Sequence, residues 1–213
     1  MIQLPGLSSL CLVLAFGASA VGALGGCTVP PRPVSNEPPG KRTEVLAAEG
    51  LERLQPADIA VAPIENLTGV EGLPSEAVRA ALAEALVQRL YTPLALDYVD
   101  AHWVDASFRG SAAPDATLLI KILGWNDSGL TSKGELAAEV ELKLVEGGTA
   151  DGRVLWGRRM QRVVDVASGG RRPAGLWRDL FPAAARALAT EFMTELPERN
   201  LASAPREAGL LAR

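Results

Sequence analysis

From Glu135 to Glu146 the chain alternates: Ala138, Val140, Leu142 and Leu144 fall on one face of an extended strand, Glu139, Glu141 and Lys143 on the other. A period of two with one apolar and one charged face predicts an antiparallel strand that is wet on one side. Thr117–Trp125 (TLLIKILGW) precedes it as a nearly continuous apolar run, the pattern of a central strand. Arg153–Val166 follows as a third. The connections NDSGLTSKG and GGTADG are rich in turn formers, so the three strands read as a meander.

Upstream, Asp58–Ile64 (DIAVAPI) is a short apolar run closed by ENLTG and predicts a buried strand. Leu73–Leu90 has helical period: Val78, Leu82, Leu86 and Leu90 lie four apart beside Ala81 and Ala85. Glu76, Arg79, Glu84 and Gln88 fall on the opposite side, and Ser75 is the candidate N-cap unless Pro74 shifts the start. Leu94–Val99 (LALDYV) reads as a second strand and Asp100–Phe108 as a short helix. Thr43–Leu54 has modest helical character interrupted by Gly50, and Arg172–Leu196 is helical along Trp177, Phe181, Ala184, Leu188 and Phe192. Pro182 is expected to kink that last helix or to open a second one. A crossover connection makes the first two strands parallel. The fold class that results is α/β: one two-layer sandwich, a mixed β-sheet covered by two long helices.

The amino-terminal region does not belong to that pattern. The first 26 residues carry no charged side chain, and Leu7–Leu24 is mostly apolar with glycines at 17 and 22. This suits a secretory signal better than a permanent span; its only positive charge is the amine of Met1. Leu24-Gly25-Gly26-Cys27 resembles the bacterial lipobox: a branched apolar residue, two small residues, then cysteine. The resemblance implies cleavage between Gly26 and Cys27, acylation of Cys27, and a membrane held through those acyl chains. By the same family's sorting rule, Thr28 rather than Asp after the cysteine implies the outer membrane, with the domain facing the periplasm. Thr28–Arg42 holds five prolines in fifteen residues, a polyproline II tether with a reach of roughly 45 Å. The expected organisation is therefore signal 1–26, lipidated cysteine and tether 27–42, α/β domain 43–200 and tail 201–213.

Composition narrows the chemistry. A net charge of −4 argues against nucleic acid as a partner. Both cysteines, Cys11 and Cys27, lie outside the expected domain, and one histidine cannot build a multi-histidine metal site. No phosphate-binding glycine loop or nucleophile elbow appears in the mature chain, so no cofactor and no catalytic set are expected. His102, beside Trp103, reads as a surface or packing residue, and Glu139 and Glu141 as a solvated strand face.

One charge asymmetry stands out. Asp151–Leu180 contains seven arginines against three aspartates, +4 locally in a chain that is negative overall. Arg158 and Arg162 share one strand face, Arg153 and Arg159 the other, and the loop ASGGRRPAG adds Arg171 and Arg172. These arginines are candidate contacts for an anionic surface or acidic partner. The competing reading is an edge strand protected by charge against unwanted pairing. The tryptophans 103, 125, 156 and 177 are core candidates, with Trp125 also a candidate interface anchor. Asn66 lies in the loop after the first strand, where α/β folds often bind ligands.

The ordered series DIAVAPIENLTG, an Ala/Leu helix, YTPLALDYVDAHWVDASF, APDATLLIKILGW and VELKLVEGGTADGRVLW resembles a bacterial lipoprotein family typified by a neisserial surface antigen. It shares the plan of CsgG-like, PelC-like and LptE-like envelope lipoproteins. The match runs over roughly Asp58–Arg162, and its terminal hairpin departs from the family pattern by an insertion and by Glu146 where Asp is usual. The resemblance implies a non-enzymatic role in envelope transport or assembly, within an envelope protein complex and with possible self-association. The alternative is a regulatory module that activates a cell-wall synthase across the periplasm, which the tether would allow it to reach.

Overall fold

The computed structural model describes residues 40–104, 108, 113–166 and 177–200, with 177–179 as backbone only. The signal segment, Cys27, most of the tether, Arg171, Arg172, the Trp177 side chain and the tail 201–213 lie outside the described residues.

The elements run β1 (Arg42–Ala47), α1 (Leu51–Leu54), β2 (Asp58–Val61), β3 (Glu65–Asn66), α2 (Ser75–Gln88), β4 (Thr92–Pro93), α3 (Leu96–Trp103), β5 (Ala116–Asn126), β6 (Glu135–Glu146), β7 (Val154–Asp165) and α4 (Trp177–Met193). Seven strands form one mixed sheet in the order β1-β7-β6-β5-β2-β4, with β3 also paired to β5. The meander β5-β6-β7 is antiparallel, whereas β2 is parallel to both β4 and β5.

The layer arrangement follows from the side-chain period. Leu118, Ile120 and Ile122 of β5, Leu136–Leu144 at even positions of β6, and Trp156, Met160 and Val164 of β7 all point to one side. There they meet Val78, Leu82 and Leu86 of α2 and Ala184, Leu188 and Phe192 of α4 in one core. This is the two-layer sandwich that the pattern predicts, with both long helices on one face of a mixed sheet.

Local expectations are corrected at several points. The Thr43–Leu54 segment is not mainly helical: Arg42–Ala47 adds to β7 as an edge strand and only Leu51–Leu54 turns as a helix. Consequently β7 is no edge strand but is paired on both sides. Leu94–Val99 is not a strand. Only Thr92–Pro93 pairs with β2, and the chain then coils into α3, whose single fully buried residue is Val99. Helical spacing of Leu96, Val99 and Trp103 serves that one-sided contact better than alternation would. The N-cap of α2 is Pro74, not Ser75, and the helix ends before Leu90, which has φ +67° and is exposed. Pro182 neither divides nor ends α4, which is one helix through it.

A further correction concerns Arg79, placed by periodicity on the wet side of α2. Its side chain is only 1% exposed. Nε and Nη2 both donate to Val61 O (3.1 and 2.8 Å), and Nη1 lies 2.7 Å from Asp100 Oδ1. A buried carbonyl at the end of β2 must find a donor, and a guanidinium can satisfy it while keeping an ion pair at the surface.

Candidate functional site

The face of the sheet opposite α2 and α4 carries the polar positions. Across five strands the register aligns Glu44, Arg159, Glu141, Lys121 and Glu65, one residue from each of β1, β7, β6, β5 and β3. The signs alternate along this row, one step of about 5 Å per strand. Directly opposite unlike charges stabilise a sheet, and each group here has an unlike neighbour on either side or at its end of the row.

The ion pairs that members of the row make are specific. Lys121 Nζ lies 2.9 Å from Glu65 Oε2. Lys143 Nζ lies 2.6 Å from Glu141 Oε1, and Arg159 grips Glu139 Oε1 through Nη2 at 2.7 Å and Nε at 2.8 Å. The hydrogen bond to Glu65, and secondly its charge, raises the Lys121 ammonium above its ordinary pKa; Glu141 adds to that, and the lysine stays charged. Glu139 and Glu141 are therefore half-buried members of ion pairs on this face rather than freely solvated carboxylates.

At one end of the face is a groove of about 450 Å³. Leu119, Val145, Trp103 of α3 and Ala150 line it together with Lys121, Lys143, Glu65 and Glu141. It lies beyond the carboxyl end of β2, where parallel α/β sheets offer binding sites. Sequence reasoning missed it. Lys121 alone within the apolar run LLIKIL was a visible signal, but the other groups meet it only through strand register and the placement of α3.

The sequence-predicted residues do not gather at one place. Asn66 is exposed on β3 and organises its own loop: Oδ1 accepts from Thr68 N (3.0 Å) and Thr68 Oγ1 (2.7 Å), and Nδ2 donates to Val70 O (3.0 Å). Trp125 is half-buried against the core, and Trp156 is fully buried. His102 Nδ1 lies 2.8 Å from Tyr98 O, and its ring packs on Tyr98 and Phe108. Among the described residues no group of three or more His, Cys, Asp and Glu could hold a metal ion.

Of the candidate surface arginines, Arg158 is half-buried and Arg162 is buried. They project to the helix side and hold β1 at its two ends. Arg158 Nη1 donates to Ala47 O at 2.8 Å, with its guanidinium 5.4 Å from the centre of the Trp156 ring. Arg162 is 4% exposed. Its Nη1 donates to Arg42 O (2.8 Å), and its Nη2 to Thr43 Oγ1 (2.6 Å) and Glu195 Oε1 (3.0 Å). A guanidinium so enclosed cannot meet an external anion. Its planar fork of donors instead fastens the first residues of the domain to the end of α4, and Lys41 adds an ion pair to Glu191 of the same helix. Arg159 does face outward, but it is paired to Glu139.

No protein-family model matches the chain, and no curated protein matches it. Solved structures with a similar fold include the PelC dodecamer from Paraburkholderia phytofirmans, at 15% identity over 75% of this chain and 99% of that one, with a TM-score of 0.47. Lipoprotein GNA1162 from Neisseria meningitidis is similar at 16% identity over 66% of this chain and 99% of that one, TM-score 0.39. A DUF4136 family protein from Bacteroides thetaiotaomicron is similar at 11% identity over 75% of this chain and 98% of that one, TM-score 0.36.

Proposed function

We propose that this chain is a non-enzymatic lipoprotein of the cell envelope, held to the outer membrane through Cys27, whose α/β domain is a scaffold for a transport or assembly machine. The observation that carries the scaffold reading is the one-sided sheet. Both long helices cover one face, and the other presents a row of alternating charges fixed in register across five strands. Such a face offers orientation and selectivity to a protein partner more than raw affinity, because mispaired charges are penalised.

The amino-terminal features support the anchor. The lipobox-like Leu24-Gly25-Gly26-Cys27 is followed by the proline-rich tether, which meets the domain at β1. Arg158 and Arg162 fasten that strand at both ends. The tether also suits the second reading, a regulator reaching a cell-wall synthase.

The test has two arms. A photo-crosslinking residue at Gln161, on the open face, is compared in cells with one at Ala183 on α4. Capture of the same envelope protein from position 161 and not from 183 supports the scaffold reading; capture only from 183 overturns it. In the second arm Cys27→Ala is fractionated: a variant that remains in membranes as a fully lipidated species overturns the anchor.

A further inference from the structure

The groove on the open face combines features that no part of the scaffold reading requires. Two ammonium groups and two carboxylates converge on it, so its lining has no net charge. Lys121 stands directly opposite Glu141 in the β5–β6 register, yet it is paired with Glu65, while Glu141 is paired with Lys143. Lys143 is opposite Leu119, two residues along from Lys121, so the two ammonium groups come from diagonally related positions on one face. Each lysine has donors beyond its one ion pair, and each carboxylate has a second oxygen. The Glu141 side chain is only 18% exposed, which strengthens its attraction for a cation that enters the groove.

A simple anion between the lysines would lie against Glu141 and Glu65, and a simple cation at the carboxylates would lie against the lysines. A ligand carrying both charges a short spacer apart meets neither repulsion. Its charges would be separated by about one strand spacing, ~5 Å. Beside the charged groups, Leu119, Val145 and the half-buried Trp103 add apolar lining suited to the carbons next to a headgroup.

We propose that this groove binds the headgroup of a zwitterionic amine phospholipid, its phosphate between Lys121 and Lys143, its ammonium toward Glu141 and Glu65, and its first acyl carbons on Leu119, Val145 and Trp103. This deepens the reading of the open face as a binding surface. It does not depend on the anchor, and the position 161 crosslink reports on a different row of the face, so either idea can fail alone.

The experiment is calorimetric titration of the purified full chain with O-phosphoethanolamine, with inorganic phosphate, and with dihexanoyl phosphatidylethanolamine and dihexanoyl phosphatidylglycerol below micelle-forming concentrations. Dihexanoyl phosphatidylethanolamine is expected to bind tightest, and O-phosphoethanolamine at least about fivefold tighter than phosphate. Glu141→Gln is expected to weaken the ethanolamine ligands and to strengthen inorganic phosphate, while Lys143→Gln weakens all of them. The opposite signs for Glu141→Gln distinguish direct recognition from a general loss of structure. Phosphate binding as tightly as O-phosphoethanolamine overturns the proposal, as does preference for the glycerol lipid. It is also overturned by a free headgroup equal to the short-chain lipid, or by no saturation with any of the four ligands.

Discussion

The guanidinium of Arg79 lies 2.7 Å from the carboxylate of Asp100, and through this contact α2 holds both α3 and the end of β2. The pair is unequal, because the Arg79 side chain is 1% exposed and that of Asp100 50%. The energetic weight therefore rests on the arginine and on the Val61 carbonyl that it satisfies. Arg79→Ala leaves that buried carbonyl without its donor and is expected to cost about 3–5 kcal/mol. Asp100→Asn keeps the hydrogen bonds to Val61 and is expected to cost less than about 1 kcal/mol. Urea denaturation of the two variants checks the ranking; equal losses would mean that the exposed carboxylate, not the buried carbonyl, sets the strength of the joint.

The same logic separates Arg162 from Arg159, three residues apart on β7 and on opposite faces. Arg162→Met removes donors to Arg42 O, Thr43 Oγ1 and Glu195 Oε1 and is expected to destabilise the domain by at least about 2 kcal/mol. Arg159→Ala breaks a pair whose two side chains are 42% and 34% exposed, and should cost no more than about 1 kcal/mol. Hydrogen exchange adds a local readout. In Arg162→Met the amides of Arg42–Ala47 should lose protection before those of β6. Unchanged protection in β1 would show that ladder bonds alone hold the edge strand.

These arginines also show where sequence reading reaches its limit. Their count and the alternation that divides them between faces are legible, because a strand's period is two and β7 keeps its register with β6 from Trp156 to Asp165. Which face is enclosed depends on α4, a partner distant in sequence, and no local pattern reports it. β6 was legible throughout since one side is core and the other carries charge. β1 was not, because RTEVLA is short and sits at an edge where burial barely alternates. LALDYV was ambiguous for a different reason: its apolar residues fit either period, and the choice fell to a single buried side chain, Val99. The groove required the register of β3, β5 and β6 together with α3, so only Lys121 hinted at it.

Tyr91 gives the fold an alkaline limit. Its ring is buried where the chain leaves α2, and its hydroxyl donates to Pro197 O at 3.0 Å, beyond the end of α4. Burial raises the phenol above its ordinary pKa of 10.0, against the smaller opposing charges of Arg199 and Arg89. The folded state thus binds this proton more tightly than the unfolded one does. The stabilisation is complete below pH 10.0 and is lost as pH rises from there through the folded-state value. Thermal unfolding measured from pH 8 to 11 should show Tm falling above about 10 in the wild type, and falling less steeply in Tyr91→Phe. Parallel curves would mean that other groups carry the alkaline transition.

Pro182 is the least economical residue in α4. It lies in the sixth position of a continuous helix, exposed to solvent, and has no N–H to offer the carbonyl of residue 178. An interior proline costs a helix about 3 kcal/mol relative to alanine, although proximity to the first turn reduces the penalty. Pro182→Ala restores the missing donor without disturbing Ala184, Ala185 or Leu188, which face the core. It is expected to raise stability by about 1–3 kcal/mol, less the few tenths that the looser unfolded chain gives back. A variant no more stable than the parent in urea would mean that the first turn of α4 is held by packing, and that the absent hydrogen bond carries no net cost.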